Sequence, residues 1–364
     1  MPDRFPRFSG RRRPEEIPMT VSAGVPQAFA SQIDACRALG SPFTARLLEI
    51  LAAEIARPGI LAGLIGDWPG DPVADALPLR LAGALHALVL SGRAPALVAC
   101  YPGHADGTAA AELRPALRRA IADHPAHIAG YLRRPPQTNE TLRSAVLVGG
   151  FTTLARATDR PLRLLEIGAS AGLNNIWDKY RYRLGAASLG PADSPVVLRP
   201  DWQGLPPPAE MPAILSRAAC DQSPTDLAKP EQRLRLRSYI WADQQDRLAR
   251  LDAAMTMALE HGVRVEQADA GDWLAGQLAE PDRDAVPVVY HSIMWQYLPD
   301  PLRQRLRRSM TEASHGRMLA WLRFEPAGLS GPFELRLTLW RNGRADETLL
   351  ATAHAHGAWI RWLG

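Results

Sequence analysis

Leu162-Arg-Leu-Leu-Glu-Ile-Gly-Ala-Ser-Ala-Gly-Leu-Asn174 is the stretch on which the reading of this chain turns. An apolar run of strand length, Leu162–Ile167, ends in a glycine-rich turn, and the segment after it, through Trp177 and Tyr180, reads as a helix. Strand, glycine turn and helix start together make a ligand-binding edge in an open α/β sheet. Gly168 and Gly172 let the backbone turn tightly and approach a ligand closely. The free amides of the new helix then face that ligand.

The chemistry of the turn separates the ligands it could hold. In an S-adenosylmethionine site the strand ends in an acidic residue, followed by a loose G-x-G-x-G. Glu166 is that acid, Gly168 and Gly172 fill the outer glycine positions, and Ser170 replaces the middle one. The cofactor has no phosphate and carries an amino group and a sulfonium, which suit a carboxylate at the strand end. A dinucleotide fingerprint wants G-x-G-x-x-G; this turn is G-x-x-x-G, and Glu166 repels a pyrophosphate. Gly168-Ala-Ser170-Ala-Gly172 is also a literal G-x-S-x-G, the nucleophile elbow of an α/β serine hydrolase. A later Asp and His are available for it, but upstream of Leu162 the patterns are helical and no HGGG-like segment occurs. The remaining reading is a βα turn that serves helix–sheet packing alone.

The chain of 364 residues holds one large domain or two ordinary ones. With 46% hydrophobic and 22% charged residues it buries a core. No run of 18 uncharged apolar residues occurs, so no membrane span is expected, and the N-terminus lacks the apolar core of a secretory signal. Cys36, Cys100 and Cys220 are scattered and form no CxxC pair, which predicts a reducing cytoplasm and no structural zinc. Within residues 1–13, Arg4, Arg7, Arg11, Arg12 and Arg13 against Asp3 give a net charge of +4, equal to that of the whole chain, so residues 14–364 sum to zero. The body is therefore balanced and carries no nucleic-acid footprint. Residues 1–25 read as a disordered basic tail.

Residues 26–158 read as a helical cap or substrate domain. Ser41-Pro42 opens a helix whose Phe43, Leu47, Leu51 and Ile55 form an apolar face. Further helices are expected over Leu77–Leu90, Thr108–Ile121, and from Gln137-Thr-Asn-Glu140 through Val146 and Gly150, with Thr138 or Asn139 as its cap. From residue 159 strands and helices alternate, the mark of a parallel sheet. The expected strands are Leu162–Ile167, Ala213–Ala219, Val263–Ala268, Val286–Ser292 and Arg317–Arg323, with a hairpin around Val196–Leu198 in a proline-rich insertion. One long helix covers Glu231–Glu260 and another follows Asp300-Pro301. Glu334–Trp340 and Thr348–His354 flank Asn342-Gly343, a hairpin signal. A mostly parallel α/β sheet with an antiparallel C-terminal hairpin strand is the topology of Rossmann-like methyltransferases.

Ligands of such a sheet bind at the carboxyl ends of its strands, where Glu166, Asp221, Asp269 and His291 are expected. Asp221 is the candidate for the two ribose hydroxyls, since a carboxylate accepts both bonds; its alternative is a turn cap before Pro224. It lies 55 residues beyond Glu166, long for one βαβ unit, and Asp201 competes for the role. Asp269 is the candidate acceptor for an adenine amino group, with Ala270 giving its amide, unless it caps the helix of Trp273. Gly168, Ser170, Gly172 and Asn174 complete the cofactor turn. His291, beside Tyr290, is the candidate group facing the transferring methyl, as a base if the acceptor carries a proton. Gln137, Asn139, Glu140 and Tyr290 are the substrate-side candidates. His354 and His356 alternate on a strand without an evident third ligand, so no metal site is assigned.

Gln137–Glu140, Leu164–Asn174, Trp177-Asp-Lys-Tyr180, Asp221-x-x-Pro224-x-Asp226, Trp241 with Arg247, and His356-Gly-Ala-Trp-Ile-Arg-Trp-Leu363 together resemble a family of uncharacterised bacterial proteins with a methyltransferase-like fold. The resemblance spans roughly residues 26–364 and leaves the arginine-rich tail outside. It implies a Rossmann-like fold and an adenosyl cofactor site, and no particular substrate. Asn175 departs from the pattern, which tends to be apolar there. The resulting expectation is a cytoplasmic S-adenosylmethionine-dependent methyltransferase acting on a small molecule; the alternatives are the serine hydrolase and a non-catalytic adenosyl-binding module.

Overall fold

The computed structural model describes residues 24–103, 109–279, 284–328 and 331–364. The arginine-rich segment and Thr108, the expected start of one helix, lie outside them. Gly24 and Val25, expected in the tail, instead open a helix, with Val25 buried. The chain divides into two compact units, Met1–Leu85 with Ala94–Pro135 and His86–Arg93 with Pro136–Gly364.

The first unit is helical: α1 (Gly24–Ala38), α2 (Pro42–Ile55), α3 (Ile60–Ile65), the first turns of α4 (Leu77–Leu90), α5 (Pro95–Val98), α6 (Ala109–Asp123) and α7 (Pro125–Leu132). Proline at its first position opens α2, where the missing N–H costs nothing. Leu47, Leu48, Leu51 and Ile55 make its buried stripe, while Phe43 is only half-buried. Glu54 of α2 takes Arg114 and Arg118 of α6 at 2.7 Å each, and these guanidiniums hold its carboxyl below the usual range.

The second unit follows the order α8 (Ser144–Thr158), β1 (Leu162–Ile167), β2 (Arg181–Leu184), β3 (Ala187–Leu189), β4 (Val197–Leu198), β5 (Asp201–Gln203), β6 (Ile214–Asp221), α9 (Pro230–Ser238), α10 (Gln245–Glu260), β7 (Glu266–Gln267), α11 (Ala270–Ala279), β8 (Val286–Ser292), α12 (Asp300–Ala313), β9 (Met318–Pro326), β10 (Phe333–Arg341), β11 (Arg344–Ala353) and β12 (Trp359–Trp362). Nine strands form one sheet in the order β5-β12-β11-β10-β9-β8-β1-β6-β7. The run β9-β8-β1-β6-β7 is parallel throughout. β10, β11 and β12 continue it as an antiparallel meander, and β5 closes the edge parallel to β12. Asn342 and Gly343, with φ of 51° and 81°, make the expected tight turn between β10 and β11.

Because side chains alternate across a strand, the central parallel strands β1, β8 and β9 feed two cores. Leu164, Val288, Tyr290 and Leu322 face one layer with α8 and α10. Leu165, Ile167, Val289 and Trp321 face the other, with Trp273 and Leu274 of α11 and Leu306 and Met310 of α12.

Five expectations change. The unit boundary falls at Pro135 rather than after residue 158, because α8 packs on β9, β10 and β11. Its Gly149 and Gly150 admit that approach: a Cβ on either meets Trp362 at 2.5 Å or Leu322 at 2.4 Å. The expected helix from Gln137 begins later. Glu140, not Thr138 or Asn139, is the cap, accepting from Leu142 N at 3.1 Å ahead of a 3-10 turn, Thr141–Arg143. The hairpin of the insertion is β2–β3, while β4 pairs in parallel with β2. The helix expected over 231–260 breaks at Tyr239, where the Ser238 hydroxyl takes the Arg235 carbonyl at 2.7 Å and competes with the helical ladder; the break buries Tyr239 and Ile240. β7 is shorter than Val263–Ala268, since Val263 packs against the glycine turn instead of pairing.

Candidate functional site

From β1 the chain moves outward to β6 and β7, then returns to the other side of β1 as β8 and β9. The carboxyl ends of β1 and β8 therefore mark the switch point of the sheet, where a crevice forms because the connections leave in opposite directions. A cleft of about 220 Å³ opens there. β1 and its turn contribute Glu166, Gly168, Ser170 and Asn174, and β6 contributes Asp221. The end of β8 contributes Ser292, Ile293 and Tyr297, and the segment before α8 contributes Gln137, Asn139 and Arg143. A larger groove of about 860 Å³, between Thr152–Pro161 and Pro208–Ala213, lies at the amino ends of β1 and β6 and contains none of the candidate residues.

Glu166 forms the floor. It is 3% exposed and accepts from the Tyr290 hydroxyl at 3.2 Å. Asn175 Nδ2 donates to the same hydroxyl at 3.0 Å. Burial, only partly offset by these bonds, pushes the Glu166 carboxyl up to about 8, so it is protonated at neutral pH. Tyr290 stands opposite Glu166 in the β1–β8 register and is fully buried; it supports the floor rather than meeting a substrate. Asn175 thus belongs to this network, and its polarity has a use.

Asp221 ties the turn to the next strand. Its Oδ2 accepts from Ser170 N and its Oδ1 from Ser223 N, both at 2.8 Å. The expected turn cap is present, and each oxygen keeps a lone pair. Asp201 lies on β5 at the far edge of the sheet, exposed, and is not a cleft residue.

The turn differs from expectation in two ways. Leu173–Lys179 is a kinked 3-10 segment, not an α-helix. Several amides of the turn are already engaged: Ala169 N with Cys220 O, Gly172 N with Ala169 O, Leu173 N with Asn139 Oδ1. Gly168 and Gly172 have φ of 67° and 72°, and a Cβ there meets Met294 at 2.8 Å or Val263 at 2.6 Å. The glycines serve the turn and side-chain packing. Ser170 also has positive φ, 55°; it is 8% exposed, and its Oγ is buried without a hydrogen-bond partner among the described residues.

His291 does not line the cleft. One residue along β8 from Tyr290, it points into the opposite core. There Nδ1 lies 2.6 Å from Glu325 Oε1 and Nε2 accepts from Trp321 Nε1 at 3.0 Å. An indole only donates, so the neutral ring carries its proton on Nδ1 and donates it to Glu325. Asp269 caps α11, its Oδ1 accepting from Gly271 N at 2.9 Å and Asp272 N at 3.1 Å; neither it nor Ala270 lines the cleft.

The expected polar quartet divides. Gln137 and Asn139 line the cleft, with Gln137 bonded to Ser223 O and Thr225 Oγ1. Glu140 turns away into a buried ion pair with Arg247, with Arg250 at 3.7 Å; these cations keep its carboxyl low despite burial. His356 lies in the same region, in an edge contact with Trp241, and burial beside Arg247 pushes it down to about 3. His354 Nδ1 accepts from His356 N at 3.1 Å. Among the described residues no group of three metal-ligating side chains occurs, and no helix is long and apolar enough to cross a membrane. Arg143, Ser292 and Tyr297 are cleft residues that sequence reasoning missed.

A family profile described as "uncharacterized protein conserved in bacteria (DUF2332)" matches residues 26–362. The chain belongs to this family. No curated protein matches the chain, and no solved structure does. Several segments that carried the family resemblance hold the site together. Trp177 stacks on Phe151 at 4.3 Å, Asp178 takes Arg217 in a two-pronged pair at 2.7 and 3.0 Å, and Glu140 meets Arg247.

Proposed function

We propose that the cleft binds the adenosyl group of S-adenosylmethionine and that the protein transfers the methyl group to a small-molecule acceptor. The observation that carries this reading is Asp221 at the end of β6, beside the glycine turn at the switch point, with a lone pair left on each oxygen. Two adjacent ribose hydroxyls are a matching pair of donors. The orphaned Ser170 Oγ supplies a buried polar group that a ligand can satisfy. Glu166 is uncharged in the empty protein; a positively charged ligand group beside it would lower its pKa and draw out the carboxylate that pairs with it.

The cleft is smaller than the roughly 300–1,000 Å³ of a site enclosing a drug-sized ligand, so the adenosyl cofactor extends beyond it. When bound, the cofactor supplies an electrophilic methyl on sulfur. The residues of this chain orient it, and in-line positioning alone supplies several kcal/mol. His291, the expected base, is spent on Glu325 and Trp321. The hydrolase reading lacks what it most needs, because Ser170 Oγ has no base beside it.

Calorimetric titration with S-adenosylmethionine and S-adenosylhomocysteine tests the proposal. Micromolar binding that Asp221→Ala abolishes supports it. No binding to the wild-type protein, with Ser170 labelled by a fluorophosphonate, replaces it with the hydrolase. Binding without methyl transfer to any acceptor in a metabolite panel leaves the adenosyl-binding module.

A further inference from the structure

Arg143 is the one arginine of the cleft lining, and its surroundings are unlike those of its neighbours. Arg247 has Glu140, Arg217 has Asp178 and Arg323 has Glu347. Arg143 makes no ion pair among the described residues. Its Nε donates to Ala355 O at 3.0 Å and its Nη1 to Ser292 O at 3.4 Å. These carbonyls are neutral acceptors and take two of its five N–H donors. Nη2 has no protein acceptor among the described residues. A half-buried guanidinium held by two backbone carbonyls at the wall of a polar cleft is an oriented fork that no carboxylate touches, with Glu140 and Glu325 acting on it only through space.

The geometry points to Arg143 as the counter-ion for a carboxylate group of the ligand that occupies this cleft. The inference deepens the proposed function and rests on reading this cleft as the ligand site. A guanidinium fork matches a carboxylate in two parallel bonds. Arg143 also stands immediately before α8, whose N-terminal end adds partial positive charge. A phosphate fits less well: Asp221 shares the lining and Arg143 is the only cation in it, so a dianion meets repulsion with one partner. The unpartnered Ser170 Oγ gives the ligand a second polar contact in the same cleft. Burial pushes the guanidinium down to about 10, so it is still charged at neutral pH.

Two molecules can bring the carboxylate: the cofactor, through its amino-acid end, or the acceptor. Calorimetry on the wild-type protein compares S-adenosylhomocysteine with its decarboxylated counterpart, S-adenosyl-3-thiopropylamine. Thermal shift with sodium acetate is read with and without 5′-methylthioadenosine. If the cofactor brings the group, the wild type prefers S-adenosylhomocysteine by about tenfold or more, and Arg143→Met loses the preference while Arg143→Lys keeps part of it. If the acceptor brings it, the adenosyl ligands bind alike, and acetate stabilises the wild type but not Arg143→Met. Adenosyl binding with no carboxylate preference and no acetate effect overturns the role of Arg143 and leaves the adenosyl reading standing. If no adenosyl ligand binds, that reading fails. An Arg143-dependent acetate effect then still supports this inference, and its absence overturns it. The ligand comparison on the wild type needs no variant to fold.

Discussion

Asp221 Oδ2 and the Ser170 amide lie 2.8 Å apart, and this one bond joins the glycine turn after β1 to the end of β6. The carboxylate is therefore both a structural tie and the proposed ribose acceptor. Asp221→Asn keeps one acceptor oxygen and loses the charge. It is expected to weaken S-adenosylhomocysteine binding about tenfold or more and to cost about 1–3 kcal/mol of stability. Calorimetry and urea unfolding measure the two separately. Unchanged affinity in a folded variant removes Asp221 from the site.

Glu166 makes the stability depend on pH in a definite direction. Its carboxyl rises from an ordinary 4.5 to about 8 in the folded protein, so the folded state holds a proton that the unfolded state has lost. The contribution is complete below pH 4.5 and disappears as pH rises through about 8, at up to about 1.4 kcal/mol per pH unit. His86 and His356, pushed down to about 4 and about 3 by burial, act oppositely: their contribution is present above 6.5 and fades as pH falls. Glu166→Gln isolates the first effect. The wild type is expected to lose stability relative to the variant between pH 5 and 8, and parallel curves contradict the assignment.

Ser170 combines a left-handed backbone with an unsatisfied buried hydroxyl. Ser170→Gly relieves the backbone and Ser170→Ala removes the orphan. Each is expected to raise the stability of the ligand-free protein by about 1 kcal/mol. A thermal-shift comparison decides, and a destabilised Ser170→Ala shows that the hydroxyl has a partner.

Glu140 and Arg247 form a buried pair, with the Glu140 side chain 2% and that of Arg247 11% exposed. Removing one partner strands the other, so Glu140→Ala is expected to cost about 3–5 kcal/mol. The double variant with Arg247→Met is expected to recover part of that loss. Denaturant unfolding of the cycle measures the coupling, and additive losses count against the pair.

β1, β8 and the β10–β11 hairpin were legible because local chemistry alone decides them. An apolar run bounded by glycine has one way to bury itself, and Asn342-Gly343 fits one kind of turn. The sequence likewise placed Glu166 and Asp221 at strand ends, where hydrophobic runs close, and Ser170 in the glycine turn after β1. The tertiary structure decided which side chains meet. His291 and Tyr290 are adjacent in the chain, yet the pleat sends one to the Trp321 layer and the other to Glu166. Asn139 reaches the turn through a bond to Leu173 N, while Glu140, one residue on, is drawn to Arg247. Arg143 gave no signal because an arginine ahead of an apolar helix looks like a solvated charge. Its lack of a carboxylate partner is a fact about distant residues, Ser292 and Ala355, which only folding brings beside it.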